Sequence, residues 1–139
     1  MDFKKLIAGT ITGGIVFFFL GWLIYGNLLA DFMKANPGKA TGVDRTDMDF
    51  MYLAIGNLLS GLLIAYIFAK AGVGTLVNGL VTGAVLGFLM SSSYDCIMYG
   101  TTFVASKKWI MADVIAYTVL TAVVGAIVGL VMGKMSKAA

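Results

Sequence analysis

Charged side chains are absent from four long stretches of the chain, residues 6–30, 50–69, 71–94 and 114–133, and apolar residues dominate each. Every stretch is at least 20 residues long. About 20 helical residues cross the roughly 30 Å hydrocarbon core of a bilayer. Lipid offers no partner to a backbone amide, so each segment must satisfy its own as a helix. The pattern predicts an all-α polytopic membrane protein. Residues 1–139 form a single four-helix transmembrane domain, with spans at about 6–30, 50–69, 71–94 and 107–133 paired as two antiparallel hairpins. The fourth span is placed from residue 107 because Ser106 suits an N-cap and Lys107-Lys108-Trp109 an interfacial anchor. Asp113 then lies one turn deeper than Trp109.

The connections carry their own signals. Asn36-Pro37-Gly38 is turn chemistry in the longest loop, residues 31–49. Thr46 followed by Asp49 has the spacing of a capping box for the second span. The acidic run Asp44, Asp47, Asp49 lacks the tighter oxygen spacing and closing Glu of a calcium loop. Residues 96–106 are mostly uncharged and are expected to lie in the membrane interface.

Two orders of pattern sit above the spans. Residues 9–16 align with 74–81 at an offset of 65. Asp31, Asp49, Gly61 and Lys70 meet Asp95, Asp113, Gly125 and Lys134 at an offset of 64. Two parallel repeats about an axis along the membrane normal are one reading; helix-end charges and abundant glycine are the other. Small residues also recur every fourth position. The third span reads Gly79, Gly83, Gly87, Ser91, Asp95, and the fourth Asp113, Tyr117, Thr121, Gly125, Gly129, Gly133. Such rows permit close backbone approach, the main source of helix association in lipid. A spacing of four drifts about 40° per step, so no straight seam can use the whole row.

In antiparallel helices both glycine halves lie at the membrane face carrying the termini, and both polar halves lie at the loop-side face. There the bundle can gather Trp22, Tyr25, Asn57, Ser91, Asp95, Asp113 and Tyr117, with Ser92 and Ser93 near. Polar groups at that depth need partners, a wet recess or both. Two readings stay open: a solute-binding recess, or hydrogen bonds that only tie the helices together. Asn78, in the opposite leaflet, is expected to bond between helices.

Composition narrows the chemistry. The chain is 60% hydrophobic and 12% charged, with a net charge of +3, one cysteine and no histidine. Imidazole catalysis and His-ligated metal or haem are excluded, and Cys96 has no partner for an internal disulfide. No metal, cofactor or catalytic residue is expected, and no basic run points to nucleic acid. The partners expected are the bilayer itself and a homo-oligomer or larger membrane complex. Lys and Arg divide five to five between the two faces. Lys4 and Lys5, ahead of the first span, favour cytoplasmic termini.

With Gly21-Trp22-Leu23-Ile24-Tyr25-Gly26, Asp95 followed by Tyr99-Gly100, and Asp113 followed by Tyr117, the chain resembles an uncharacterised family of small four-span prokaryotic membrane proteins, a domain of unknown function. The resemblance implies a four-helix fold in a prokaryotic membrane and supplies no activity. Small multidrug exporters carry a glutamate in the first span, and this chain contains none. The expected function is a small transporter or channel-like unit. The alternatives are an accessory subunit of a larger membrane complex and, behind it, a lipid enzyme using Asp95 and Asp113 as paired carboxylates.

Overall fold

The computed structural model describes residues 2–138, with side-chain exposure assigned for 2–136. Its elements are α1 (Phe3–Leu23), a wider π turn (Ile24–Leu28) that continues α1, the short α2 (Ala30–Ala35), α3 (Phe50–Ala71), α4 (Leu76–Thr101) and α5 (Lys107–Ala138). Four helices are long and apolar enough to cross a membrane: α1 with its π turn, α3, α4 and α5. The protein is a multi-pass, all-α membrane protein.

Helix ends are set by local chemistry. Asp2 accepts from the amides of Lys4 and Lys5 and opens α1. Asp49 itself caps α3 by accepting from the Tyr52 amide at 3.3 Å. It takes the place of the Thr46-led capping box expected from sequence, because Asp49 itself holds the extended N-cap conformation. Gly72, at φ +68°, closes α3 in the left-handed conformation that suits glycine. Thr75 then caps α4 through the Asn78 amide. Asn78 is exposed at this helix start rather than bonded between helices. The third span therefore begins at Leu76, not at residue 71, and continues through Cys96 to Thr101. Asp95 turns sideways into the fold instead of ending the helix, so residues 96–101 are helical where a loop was expected.

The helices stand in a row ordered α3–α1–α5–α4, each antiparallel to its neighbour. Every neighbour in this row is chosen by surface fit. Between α4 and α5, a methyl group on Gly79 or Gly83 would overlap the backbone at Gly125 or Thr121. Gly129 faces Thr75, and Gly133 faces Gly74 just before α4. All of Gly79, Gly83, Gly87, Ser91 and Asp95 are buried. The contact thus follows the whole row, and the helices must coil around one another to track its drift. A second close approach joins α1 to α3. There a methyl on Gly13 would lie 2.9 Å from the Gly61 Cα, and one on Gly61 2.5 Å from the Gly14 amide nitrogen. The seam between α1 and α5 is filled by larger side chains, with Phe17, Leu120, Val124, Val128 and Met132 all buried in one cluster. Outward positions such as Ile7, Ile11, Ile15 and Phe19 on α1 are exposed and meet lipid.

This order bears on the repeat. A twofold axis along the membrane normal would bring equivalent helices of the two hairpins together at the centre. Instead the central contact joins α1, the first helix of one hairpin, to α5, the second of the other. The two hairpins are therefore not related by that axis.

The two loop-side connections hold each other. The Ala40 amide donates to the Phe103 carbonyl at 2.9 Å, and Pro37 forms an antiparallel bridge with Ala105. Gly38 is pressed so closely on the backbone of residues 103 and 104 that no side chain would fit. Ser106 does two things: its hydroxyl donates to the Asn36 carbonyl at 2.7 Å and accepts from the Trp109 amide at 3.2 Å. It is the N-cap expected for α5. Ser106→Ala removes both bonds, and a loss of roughly 1–2 kcal/mol is expected, measurable as a lower thermal unfolding midpoint in detergent. An unchanged midpoint would show that the loops do not depend on this tie.

Candidate functional site

Asp95 lies six residues before the end of α4 and Asp113 six residues after the start of α5. Both therefore sit about 9 Å inside their helix ends, at matching depth. Because α4 and α5 are antiparallel and share a continuous contact row, the two carboxyl groups become neighbours. Tyr117 follows Asp113 by four residues on the same face of α5. Its ring lies against Phe17 of α1, with centroids 6.4 Å apart and planes 25° from parallel.

Tyr25 arrives from α1 by a different route. The Leu29 amide donates to the Ile24 carbonyl at 2.8 Å, the five-residue reach of a π turn. Tyr25 sits at the start of this wider turn, and Trp22 one turn before it. Tyr25 swings toward α5 and stands beside Asp113. Trp22 is left 63% exposed, with its carbonyl accepting from the Asn27 side chain at 3.1 Å.

These placements border an open recess of about 480 Å³ in the loop-side half of the row. Tyr25, Ser91, Asp95, Asp113 and Tyr117 line it, five of the seven residues expected at this end. Trp22 and Asn57 do not. They line a separate recess of about 300 Å³ on the α1–α3 side, and Tyr25 and Tyr117 form the wall between the two. Topology explains the correction for Asn57. It lies on α3, at the opposite end of the row from α4, and its side chain donates to the Leu53 carbonyl of its own helix at 2.7 Å. Ser92 also turns away, into a third recess on the other side of Asp95.

Met90, Tyr94 and Trp109 complete the acidic recess and were missed as site residues. All three carried a signal. Trp109 precedes Asp113 by four residues and so shares its face, although its membrane-anchor role was reason enough for it from sequence. Met90 and Tyr94 form a second four-spaced pair beside Ser91 and Asp95, which the small-residue row drew attention away from.

Electrostatically the site is acidic and unbalanced. Asp95 is 1% exposed, and among the described residues its carboxylate oxygens meet no N–H or hydroxyl donor, only the neighbouring carboxyl group of Asp113. The same is true of the Tyr25 hydroxyl. Ser91, the nearest small hydroxyl on α4, spends its proton on the Gly87 carbonyl at 2.8 Å. Among the described residues no Lys or Arg lines the recess. A buried polar group without a partner costs stability, and in a membrane such a group usually marks a ligand or ion route. The arrangement offers negative charge and hydroxyl oxygens to a ligand that enters the recess. Comparison with protein-family models, curated proteins and solved structures yields no match for this chain.

Proposed function

We propose that this chain is a small, non-catalytic transporter or channel-like unit whose loop-side recess receives a cation. One observation carries this: Asp95, buried and met by no N–H or hydroxyl donor, stands beside Asp113 in a recess with no basic side chain among the described residues. Two adjacent carboxyl groups repel as anions, and an entering cation relieves that repulsion. The surrounding hydroxyls of Tyr25 and Tyr117 can replace part of its hydration shell. Continuous small-residue contact between α4 and α5 supports a rigid back wall for the site.

The direct test is a concentration-jump current measurement on proteoliposomes containing the purified protein. Jumps of sodium, potassium and tetramethylammonium chloride are compared with matched protein-free vesicles. A current from at least one cation is expected, reduced more than tenfold by Asp95→Asn and by Asp113→Asn while helical content stays unchanged. Currents that are absent for every cation, or equal in wild type and both variants, would defeat the proposal and leave the accessory-subunit role.

The same proposal places the protein in a prokaryotic inner membrane with both termini cytoplasmic and the recess in the outer half, supported by Lys4 and Lys5 ahead of the first span. Single cysteines at Ala40 and Ala138, in a background lacking Cys96, are expected to differ toward an impermeant thiol reagent on intact cells. Labelling is expected at position 40 only; labelling at 138 alone reverses the orientation.

A further inference from the structure

The walls of the acidic recess narrow the kind of cation it suits. Four aromatic side chains, Tyr25, Tyr94, Trp109 and Tyr117, line it together with the two carboxyl groups of Asp95 and Asp113. Aromatic faces attract cations within about 6 Å of the ring, and alkylated ammonium groups are the ligands such cages suit best. A hard inorganic cation has the opposite need. Calcium asks for six to eight oxygens, and magnesium for near-ideal octahedral geometry. Among the described residues no three His, Cys, Asp or Glu side chains gather anywhere as a ligand set. The volume of about 480 Å³ is that of a small-molecule site, since such pockets run from roughly 300 to 1,000 Å³. A bare monovalent ion would leave most of it to water.

We infer that the recess binds an organic ammonium group, with its methyl or alkyl surface against the aromatic rings and its charge toward Asp95 and Asp113. This assignment deepens the cation-receiving role proposed above and rests on it. Each part of the site then has a task. The buried carboxylate of Asp95, met by no N–H or hydroxyl donor among the described residues, supplies charge from the back of the recess. Trp109 and Tyr94 stand on the two helices that flank it, and Tyr25 comes from the π turn that ends α1. A quaternary ammonium has no N–H to donate, so it satisfies the carboxylates by charge alone and tolerates a wall with few hydrogen-bonding atoms. The group can come from a free solute or from the headgroup of a choline lipid, which share this chemistry.

The test uses Trp109 as its own reporter. In a Trp22→Phe background Trp109 is the sole tryptophan. The full chain is placed in phosphatidylglycerol nanodiscs and titrated with tetramethylammonium chloride, against sodium, potassium and magnesium chloride at matched ionic strength. A saturable change in Trp109 emission with tetramethylammonium alone is expected. Asp95→Asn should weaken it more than tenfold. Tyr94→Leu should weaken it roughly twofold to thirtyfold; this side chain is 67% exposed, so its removal spares the fold. Repeating the titration in phosphatidylcholine nanodiscs names the source. Emission already shifted and no longer responsive assigns a lipid headgroup, and an unchanged titration assigns a free solute; both support the ammonium assignment. Saturable, Asp95-dependent binding of an inorganic cation without tetramethylammonium binding overturns the assignment and leaves the cation role standing. No saturable response to any cation overturns both.

Discussion

Gly125→Ala is expected to destabilise the protein by roughly 1–3 kcal/mol, and Gly125→Leu by more. A methyl group at this position would overlap the Gly79 carbonyl oxygen and lie 2.9 Å from the Gly83 Cα. Both obstacles are backbone, so no side-chain rotation relieves them and α4 must move away from α5. That movement opens the contact over neighbouring turns, where dispersion between closely packed backbones holds the helices together in lipid. The control is Gly56→Ala on α3, where nothing lies within 4 Å of the added methyl. Alanine's better helix propensity should make that variant equal to wild type or up to about 1 kcal/mol more stable. Detergent-titrated unfolding of both variants gives the comparison. If Gly125→Ala proves as harmless as Gly56→Ala, the α4–α5 contact is not what holds this half of the row.

Asp95→Ala is expected to move stability and binding in opposite directions. Among the described residues its two buried carboxylate oxygens meet no N–H or hydroxyl donor. Removing an unsatisfied buried group relieves its desolvation cost, a gain of roughly 1–3 kcal/mol less what the small cavity takes back. A carboxylate kept there to receive a cation should therefore yield a more stable protein that no longer binds, the usual trade between function and stability. A carboxylate that only ties helices together should behave in the reverse way, with the variant less stable. The sign of the change in unfolding midpoint, measured without added cation, separates the two. A clear loss of stability in Asp95→Ala would show that Asp95 has a structural partner and would remove the central support for the site.

Particular residues show where sequence reasoning reached the site and where it stopped. Ser91, Asp95, Asp113 and Tyr117 were legible because each continues a four-residue spacing on one of two antiparallel helices, and a shared spacing places residues on a shared face. Tyr25 was named on the same grounds as Trp22, yet only Tyr25 lines the recess. Both border the recess on the α1–α3 side, and of the two only Tyr25 also reaches Asp113. Asn57 was grouped with the aspartates because all lie near the same membrane face. Depth is readable from sequence, but position around the bundle is not.

The chain by itself determined that there are four spans, that they are helices, and where several begin. Each of these follows from one segment against its surroundings: uncharged length against the thickness of the bilayer, and a capping side chain against the free amides beside it. The tertiary structure alone decided the order α3–α1–α5–α4, and with it which polar residues share a recess. Hydropathy cannot choose a neighbour, since every apolar helix face is equally content in lipid. That choice falls to contacts a few tenths of an ångström wide, glycine against backbone at Gly79 and Gly125 and again at Gly13 and Gly61. Those contacts set Asp95 beside Asp113 and kept Asn57 two helices away.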